Sequence, residues 1–257
     1  MNTTPSVHAM IVAAGRGSRF GSDLPKQYTS LNGYTLLQHS VARLSTSHDI
    51  QTCLLVLAAD DTTAMTLSFA LPVWYTIGGE ERWQSVLAGL IAIIEKGAAD
   101  DDLILIHDAA RPAVTRQDIK AVIDAAKKEP YGAILATAVV DTLKRSQLQS
   151  HALKPSLRRT DVSTGKTPSN YALQTYAVQT IDRSEIWQAQ TPQVFRVVQL
   201  RRVLEHVESH SLEITDEASA FEHLQLPIRL VNGSRHNIKL TYPEDALLLS
   251  AILNVPH

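Results

Sequence analysis

Near-continuous apolar runs at residues 7–12, 52–58, 103–107 and 133–139 do most to limit the folds open to this chain. A strand with one face in water alternates apolar and polar residues, whereas a near-continuous run must be covered on both faces. Helical patterns separate the runs. Residues 35–44 suit a helix, and residues 83–96 carry Val86, Leu90, Ile93 and Ile94 at helical spacing with Gly97 as a stop. A third helix is predicted over 116–128, ending before Pro130, and later ones over 197–209 and 243–253, with a strand at 228–231 between them. This alternation predicts an α/β fold: a Rossmann-like, mostly parallel but mixed twisted sheet with helices on both faces. No internal repeat is visible. Residues 146–179 break the rhythm, being rich in Ser, Thr and Gln with Pro155 and Pro168. They read as a solvated, partly flexible surface loop or as part of an arm leaving the body.

The first run leads into Ala13-Ala14-Gly15-Arg16-Gly17-Ser18-Arg19-Phe20-Gly21, followed by Pro25-Lys26. Gly15, Gly17 and Gly21 permit close backbone approach to a ligand, and Arg16, Arg19 and Lys26 bring positive charge to the same place. After a strand, that combination suits a polyphosphate; the plain alternative is a glycine-rich turn. It is not a dinucleotide fingerprint, because the spacing is Gly-x-Gly-x-x-x-Gly and Pro25 stops a long helix from starting at the loop. Nor is Gly165-Lys166-Thr167 a Walker loop, since Thr160 occupies the first glycine position and no apolar strand precedes it.

Other polar groups fall at predicted strand ends. His107-Asp108-Ala109-Ala110-Arg111-Pro112 follows the third run, and ligands of open α/β sheets bind beyond the carboxyl ends of strands. Asp108 can there hold a ribose or substrate hydroxyl or a hydrated Mg²⁺, or it can cap a helix or pair with Arg111. Gly78-Gly79 offers another close backbone approach, with Ser85 as helix cap or base contact. Lys239, within Asn237-Ile238-Lys239-Leu240-Thr241, is a lysine in a strand-like run: costly to bury without an anion, harmless on an edge.

Composition narrows the function classes. A net charge of −2 gives no support for nucleic acid or a membrane surface as the main partner. The N-terminus lacks the pattern of a signal peptide, and no apolar run nears the roughly 20 residues of a membrane span. The single cysteine, Cys53, permits no internal disulfide. Together these lead us to expect a cytoplasmic location. Asp100-Asp101-Asp102 reads as a solvated run and His206/His210 as a surface pair, with no third metal ligand evident. Trp74, Trp83 and Trp187 are too scattered for a stacking platform.

Taken in order, the motifs carry a resemblance. The first loop with Pro25-Lys26-Gln27 is similar to the signature of cytidylyltransferases that activate polyol phosphates. Gly78-Gly79-x-x-Arg82-x-x-Ser85-Val86, the His107–Pro112 motif, Asp141-Thr142-Leu143-Lys144 and Gln190-Thr191-Pro192-Gln193 follow, then Thr215-Asp216-Glu217 and Asn237-Ile238-Lys239. From about Val7 to Leu253 the chain resembles the methylerythritol phosphate cytidylyltransferases, the CTP-using nucleotidyltransferases of non-mevalonate isoprenoid synthesis. Ribitol-5-phosphate cytidylyltransferases share the first loop and Thr-Pro-Gln but tend not to carry Asp-Thr-x-Lys.

The resemblance implies attack of a substrate phosphate on the α-phosphate of CTP, with loss of pyrophosphate. It assigns Arg19 and Lys26 to transition-state stabilisation, and Arg183 and Lys239 to holding the attacking phosphate. The nucleotide would lie against Ala13, Ala14, Gly15, Gly17, Gly79, Ser85, Asp108 and Ala109. Asp108, Arg111, Thr142, Arg183, Thr215 and Lys239 would contact the acceptor. Mg²⁺ or another divalent cation would be held mainly by CTP phosphates and water. It further implies one nucleotidyltransferase domain over 1–257, with 139–187 as a projecting β-arm. In a homodimer that arm would bring Thr142 and Arg183 to the partner's site. The chain departs from the family pattern in a longer stretch between Lys144 and Thr180, across which Arg183 is aligned, and in Val140 where arginine is common.

Overall fold

The computed structural model describes residues 4–15, 25–152 and 171–255. These divide into two compact units, Met1–Thr137 with Ala189–His257, and Ala138–Gln188. The strands are β1 (Val7–Val12), β2 (Ser30–Leu31), β3 (Tyr34–Thr35), β4 (Cys53–Leu57), β5 (Val73–Ile77), β6 (Leu103–Asp108), β7 (Gly132–Ala138), β8 (Leu143–Ala152), β9 (Tyr171–Ile181), β10 (Trp187–Arg196) and β11 (Arg229–Asn232). The helices are α1 (Leu36–Leu44), α2 (Arg82–Glu95), α3 (Arg116–Ala126), α4 (Val197–His210), α5 (Glu217–His223) and α6 (Asp245–Leu253).

Seven strands form the main sheet in the order β11-β7-β10-β6-β1-β4-β5. Strand β1 is parallel to both neighbours, β4 and β6, and β5 is parallel to β4. Strand β10 runs antiparallel to β6, and β11 parallel to β7, so the sheet is mixed as predicted. The chain moves outward from β1 to β5 and then returns to the other side of β1 for β6. That reversal opens a crevice between the carboxyl ends of β1 and β6. The register pairs Val12 with Asp108, so the residues after β1 begin level with that aspartate.

Alternate residues of the apolar runs feed two cores. Ile11, Leu55, Leu105 and Leu135 pack with Leu37 and Val41 of α1 and Ile119 and Val122 of α3. Met10, Val56, Ile106, Ile134 and Phe195 pack with α2, α4 and α5 on the other face. A smaller cluster joins Leu31, Leu36, Ala110 and Leu240 to Leu249 and Ile252 of α6. Burying each such aliphatic side chain contributes about 1.5–3 kcal/mol. Helix starts are fixed locally: Thr35 accepts from the Gln38 amide, Thr115 from that of Asp118, and Asp216 from that of Ser219.

The structure corrects several expectations. Of the two readings for residues 146–179, a loop or part of an arm, the loop fails for 146–152 and 171–179, which lie in strands: β8 and β9 pair antiparallel from Leu143↔Ile181 to Ala152↔Tyr171. Strand β10 was concealed by Pro192, which lacks the N–H of a ladder residue; its ladder with β6 starts only at Gln193. Asn237–Thr241 is not a strand, because Asn237 turns its amide inward onto Thr191. Asp102 is not merely solvated. Its carboxylate accepts from the Ser6 and Ala99 amides at 2.8 and 3.0 Å and meets His8 Nε2 at 2.9 Å, joining the start of β1 to that of β6.

Candidate active site

A pocket opens at the reversal point, lined by Ala13, Ala14, Gly15, Lys26, Gly79, Arg82, Ser85, Asp108, Ala109 and Lys239 among others. Its walls are set by backbone. The Ala13 amide donates to the Val56 carbonyl at 2.9 Å, and the Gly78 amide to Leu57 at 2.8 Å. Buried Gln27 donates through Nε2 to the Ala13 carbonyl at 2.8 Å, tying the Lys26–Tyr28 turn to the end of β1. At Gly78 a Cβ would stand 2.5 Å from Ser85 Oγ and 2.8 Å from Ala14 Cβ, so only glycine brings these walls together. The Ser85 hydroxyl is 3.3 Å from both the Gly79 and Glu81 carbonyls, so it bonds to the first turn of α2 while lining the pocket.

A row of alternating charges crosses the site. Asp108, at the end of β6, accepts from Lys239 Nζ at 2.6 Å through Oδ2. Through Oδ1 it accepts from Arg82 Nη2 at 3.1 Å and Nε at 3.4 Å. The remaining limb of the Arg82 fork, Nη1, donates to Glu217 Oε1. Glu217 is fully buried, and its Oε2 has no hydrogen-bond partner among the described residues. Burial alone would raise the Asp108 carboxyl, but Arg82 and Lys239 outweigh it and hold the group well below the usual carboxylate range. Burial would likewise lower Arg82, yet Glu217 and Asp108 prevail and raise it.

Behind this row the motifs bind one another. Thr191 Oγ1 accepts from the Asp108 amide at 3.0 Å and lies 2.9 Å from His107 Nδ1. His107 Nε2 is 3.0 Å from the Arg111 carbonyl, so the consistent assignment puts the ring proton on Nε2 and the Thr191 proton toward Nδ1. Burial supports the neutral ring by lowering its pKa to about 4. Arg111 donates to the carbonyls of Asn237 at 2.7 Å and Ala189 at 3.4 Å. Asn237 Nδ2 donates to Gln190 Oε1 at 3.1 Å and to the Thr191 carbonyl at 2.8 Å. Lys239 is thereby delivered to Asp108 by a braced irregular segment, with the Leu240 amide on the Ala110 carbonyl at 2.9 Å.

Of the residues expected to act, Ala13, Ala14, Gly15, Lys26, Gly79, Ser85, Asp108, Ala109 and Lys239 come together. Gly17 and Arg19 lie outside the described residues. Arg111 is not among the pocket-lining residues; its guanidinium serves backbone carbonyls. Thr215 lines an adjoining groove shared with Glu81, Arg82 and Glu217. Thr142 and Arg183 are exposed and belong to the other unit, flanking the Leu143↔Ile181 pair at the base of its hairpin. The Asp108 carboxylate bonds to Lys239 and Arg82 rather than capping a helix; Arg111 adds only its nearby charge, and its amide donates to the Asp108 carbonyl at 3.1 Å. Sequence reasoning gave no role to Arg82, Glu217, Thr191 or Gln27. Their one signal was membership of the ordered motifs.

The charged side chains that line the pocket are Lys26, Arg82 and Lys239 with Glu80, Glu81 and Asp108, set between backbone walls. This suits placing and neutralising a charged ligand. Among the described residues no group of three or more His, Cys, Asp or Glu side chains could hold a metal ion. Asp108 is already spanned by two cations, Glu81 caps α2 and Glu80 is exposed, so the donor set among the described residues does not fit a resident protein-held cation. No helix among the described residues is long and apolar enough to cross a membrane.

The family model for 2-C-methyl-D-erythritol 4-phosphate cytidylyltransferase matches residues 7–176 and 170–255. The protein of that name from Psychrobacter cryohalolentis is 64% identical over 263 residues, covering 98% of this chain and 94% of the relative. Its counterpart from Burkholderia multivorans is 39% identical over 253 residues, covering 97% of each. Among solved structures, a 4-diphosphocytidyl-2C-methyl-D-erythritol synthase matches with a TM-score of 0.76 at 32% identity, over 98% of this chain and 100% of that one.

Proposed function

The chain belongs to the 2-C-methyl-D-erythritol 4-phosphate cytidylyltransferase family, and we propose from this that its pocket between β1 and β6 performs cytidylyl transfer. CTP and 2-C-methyl-D-erythritol 4-phosphate give 4-diphosphocytidyl-2-C-methyl-D-erythritol and pyrophosphate, a step in isoprenoid precursor synthesis. The observation that carries the reading is the meeting of Lys26, Lys239 and Asp108 with the backbone of Ala13–Gly15 and Gly79 in one crevice.

In this reading the cytosine and ribose lie against Ala13, Ala14, Gly15, Gly79, Ser85, Asp108 and Ala109. Lys26, with Arg19, neutralises charge on the pentavalent phosphorus and the departing pyrophosphate. Lys239 holds the acceptor phosphate in line, exchanging its present contact with Asp108 for a phosphate oxygen. A divalent cation such as Mg²⁺ enters with the triphosphate as its counter-ion. Thr142 and Arg183, each just beyond the Leu143↔Ile181 pair at the hairpin base, act on the acceptor in the partner's site of a homodimer. Thr215 contacts the acceptor from the adjoining groove, while Arg111 braces the segment that carries Lys239 through the Asn237 carbonyl. The reaction takes place in the cytoplasm.

The test is pyrophosphate release by purified protein with Mg²⁺, each of the four nucleoside triphosphates, and either methylerythritol phosphate or ribitol phosphate. Release is expected with CTP and methylerythritol phosphate. Its absence from that pair would overturn the assignment. Lys26→Ala is expected to reduce turnover far more than CTP affinity; equal losses would make Lys26 a ground-state anchor only.

A further inference from the structure

Glu217 presents a physical problem that cytidylyl transfer by itself does not answer. A carboxylate with no solvent exposure is costly to bury, and one of its oxygens has no partner among the described residues. Replacing a buried ion pair with apolar side chains of like volume is often neutral or stabilising. Holding the fold together is therefore a poor reason for Glu217 and Arg82 to meet. What the pair does achieve is geometric. Arg82 is the first residue of α2, and Glu217 the first of α5, across the pocket wall. With Nη1 on Glu217, the guanidinium plane is fixed, and Nε and Nη2 both reach the same oxygen of Asp108. Asp108 Oδ2 is then left pointing at Lys239.

We propose that Arg82 and Glu217 are positioning residues for the transfer. They clamp Asp108 by one carboxylate oxygen, so that the other sets where the Lys239 ammonium stands before it takes the acceptor phosphate. The inference rests on the cytidylyltransferase reading and adds to it the residues that act at one remove. The row Glu217–Arg82–Asp108–Lys239 holds two anions and two cations, so Lys239 is retained near the site without surplus charge. Only an arginine fork can serve two carboxylates in this way; a lysine ammonium keeps the charge but not the planar geometry.

The experiment measures steady-state kinetics of the full chain as wild type, Arg82→Lys, Asp108→Asn, the double variant and Glu217→Gln. The glutamine keeps volume and an acceptor for Arg82, which guards against a simple folding failure. Misplacement of Lys239 is expected to raise the acceptor KM and lower kcat by about tenfold each in Arg82→Lys, while the CTP KM stays within about twofold. Glu217→Gln is expected to show the same acceptor-specific pattern at about threefold. If Arg82 acts through Asp108, the double variant is no worse than Asp108→Asn alone. Multiplying losses in the double variant would overturn the proposal, as would an Arg82→Lys defect at least as large for CTP as for the acceptor. The latter would put the effect of Arg82 on the nucleotide, directly or through Asp108 at the ribose, rather than on Lys239. An inactive wild type would overturn the transfer reading and the positioning role together; an active wild type with independent losses overturns the positioning role alone.

Discussion

Replacing Asp108 by Asn tests the charge row directly, because it keeps side-chain shape while removing the central negative charge. The Asp108 side chain is 10% exposed and accepts from Lys239 at 2.6 Å and from Arg82 at 3.1 and 3.4 Å. Lys239 is 40% exposed, so solvent screening limits its share to about 1 kcal/mol. Arg82 keeps Glu217 and is not orphaned, so its share is that of a charge-assisted hydrogen bond, about 1.5–3 kcal/mol. A total near 3 kcal/mol should lower the melting temperature by roughly 6–12 °C in a chain of this size. The sign with pH follows from the depressed carboxyl. Asp108 contributes its full stability above the unfolded value of about 3.9, and that contribution is lost as pH falls below it toward the folded value. Urea denaturation of both proteins between pH 7.5 and 3 is the assay. The gap should hold steady down to about pH 5 and narrow below about pH 4, the acid lability of other carboxylates cancelling in the difference. A gap under about 1 kcal/mol at neutral pH, or one that widens in acid, would refute the account of Asp108 as a paired anion.

Two further outcomes follow from packing. Gly78→Ala places a Cβ 2.5 Å from Ser85 Oγ and 2.8 Å from Ala14 Cβ, so the pocket walls must part. Its CTP Kd, measured by calorimetry, is expected to weaken about tenfold, and an unchanged Kd would show that these walls do not hold the nucleotide. Phe195 and Phe221 are fully buried and stack at 4.9 Å between centroids. Phe195→Ala should cost about 3–5 kcal/mol in denaturant titration, and a loss under about 1 kcal/mol would contradict a rigid core there.

Much of the framework was legible because burial on both faces leaves a one-dimensional trace. Near-continuous apolar runs marked β1, β4, β6 and β7, and apolar spacing marked α2. Strand β5, Val-Trp-Tyr-Thr-Ile, is largely apolar too, but it is short, lies at the sheet edge and is mostly half-buried, so its trace is weaker. The hairpin of β8 and β9 escaped because its described side chains are almost all exposed, so no apolar period marks either strand. The glycine-rich loop and Asp108 could be placed together from sequence, since parallel strands bring their carboxyl ends to one edge. The partners of Asp108 could not. Lys239 lies 131 residues away, and the Arg82–Glu217 contact spans 135. Arg111, flagged for chemistry, instead carries hydrogen bonds between motifs, as does Asn237 beside it.

By itself, then, the order of apolar runs, glycines and cations determined an α/β sheet with an anion-seeking crevice and the family to which it is similar. Tertiary structure alone decided which face of each strand its residues serve, and which cation answers which carboxylate. The physical reason is that periodicity and turn chemistry act over a few residues and leave local traces. Charge pairing depends on distances through space, which exist only once β1 and β6 stand side by side.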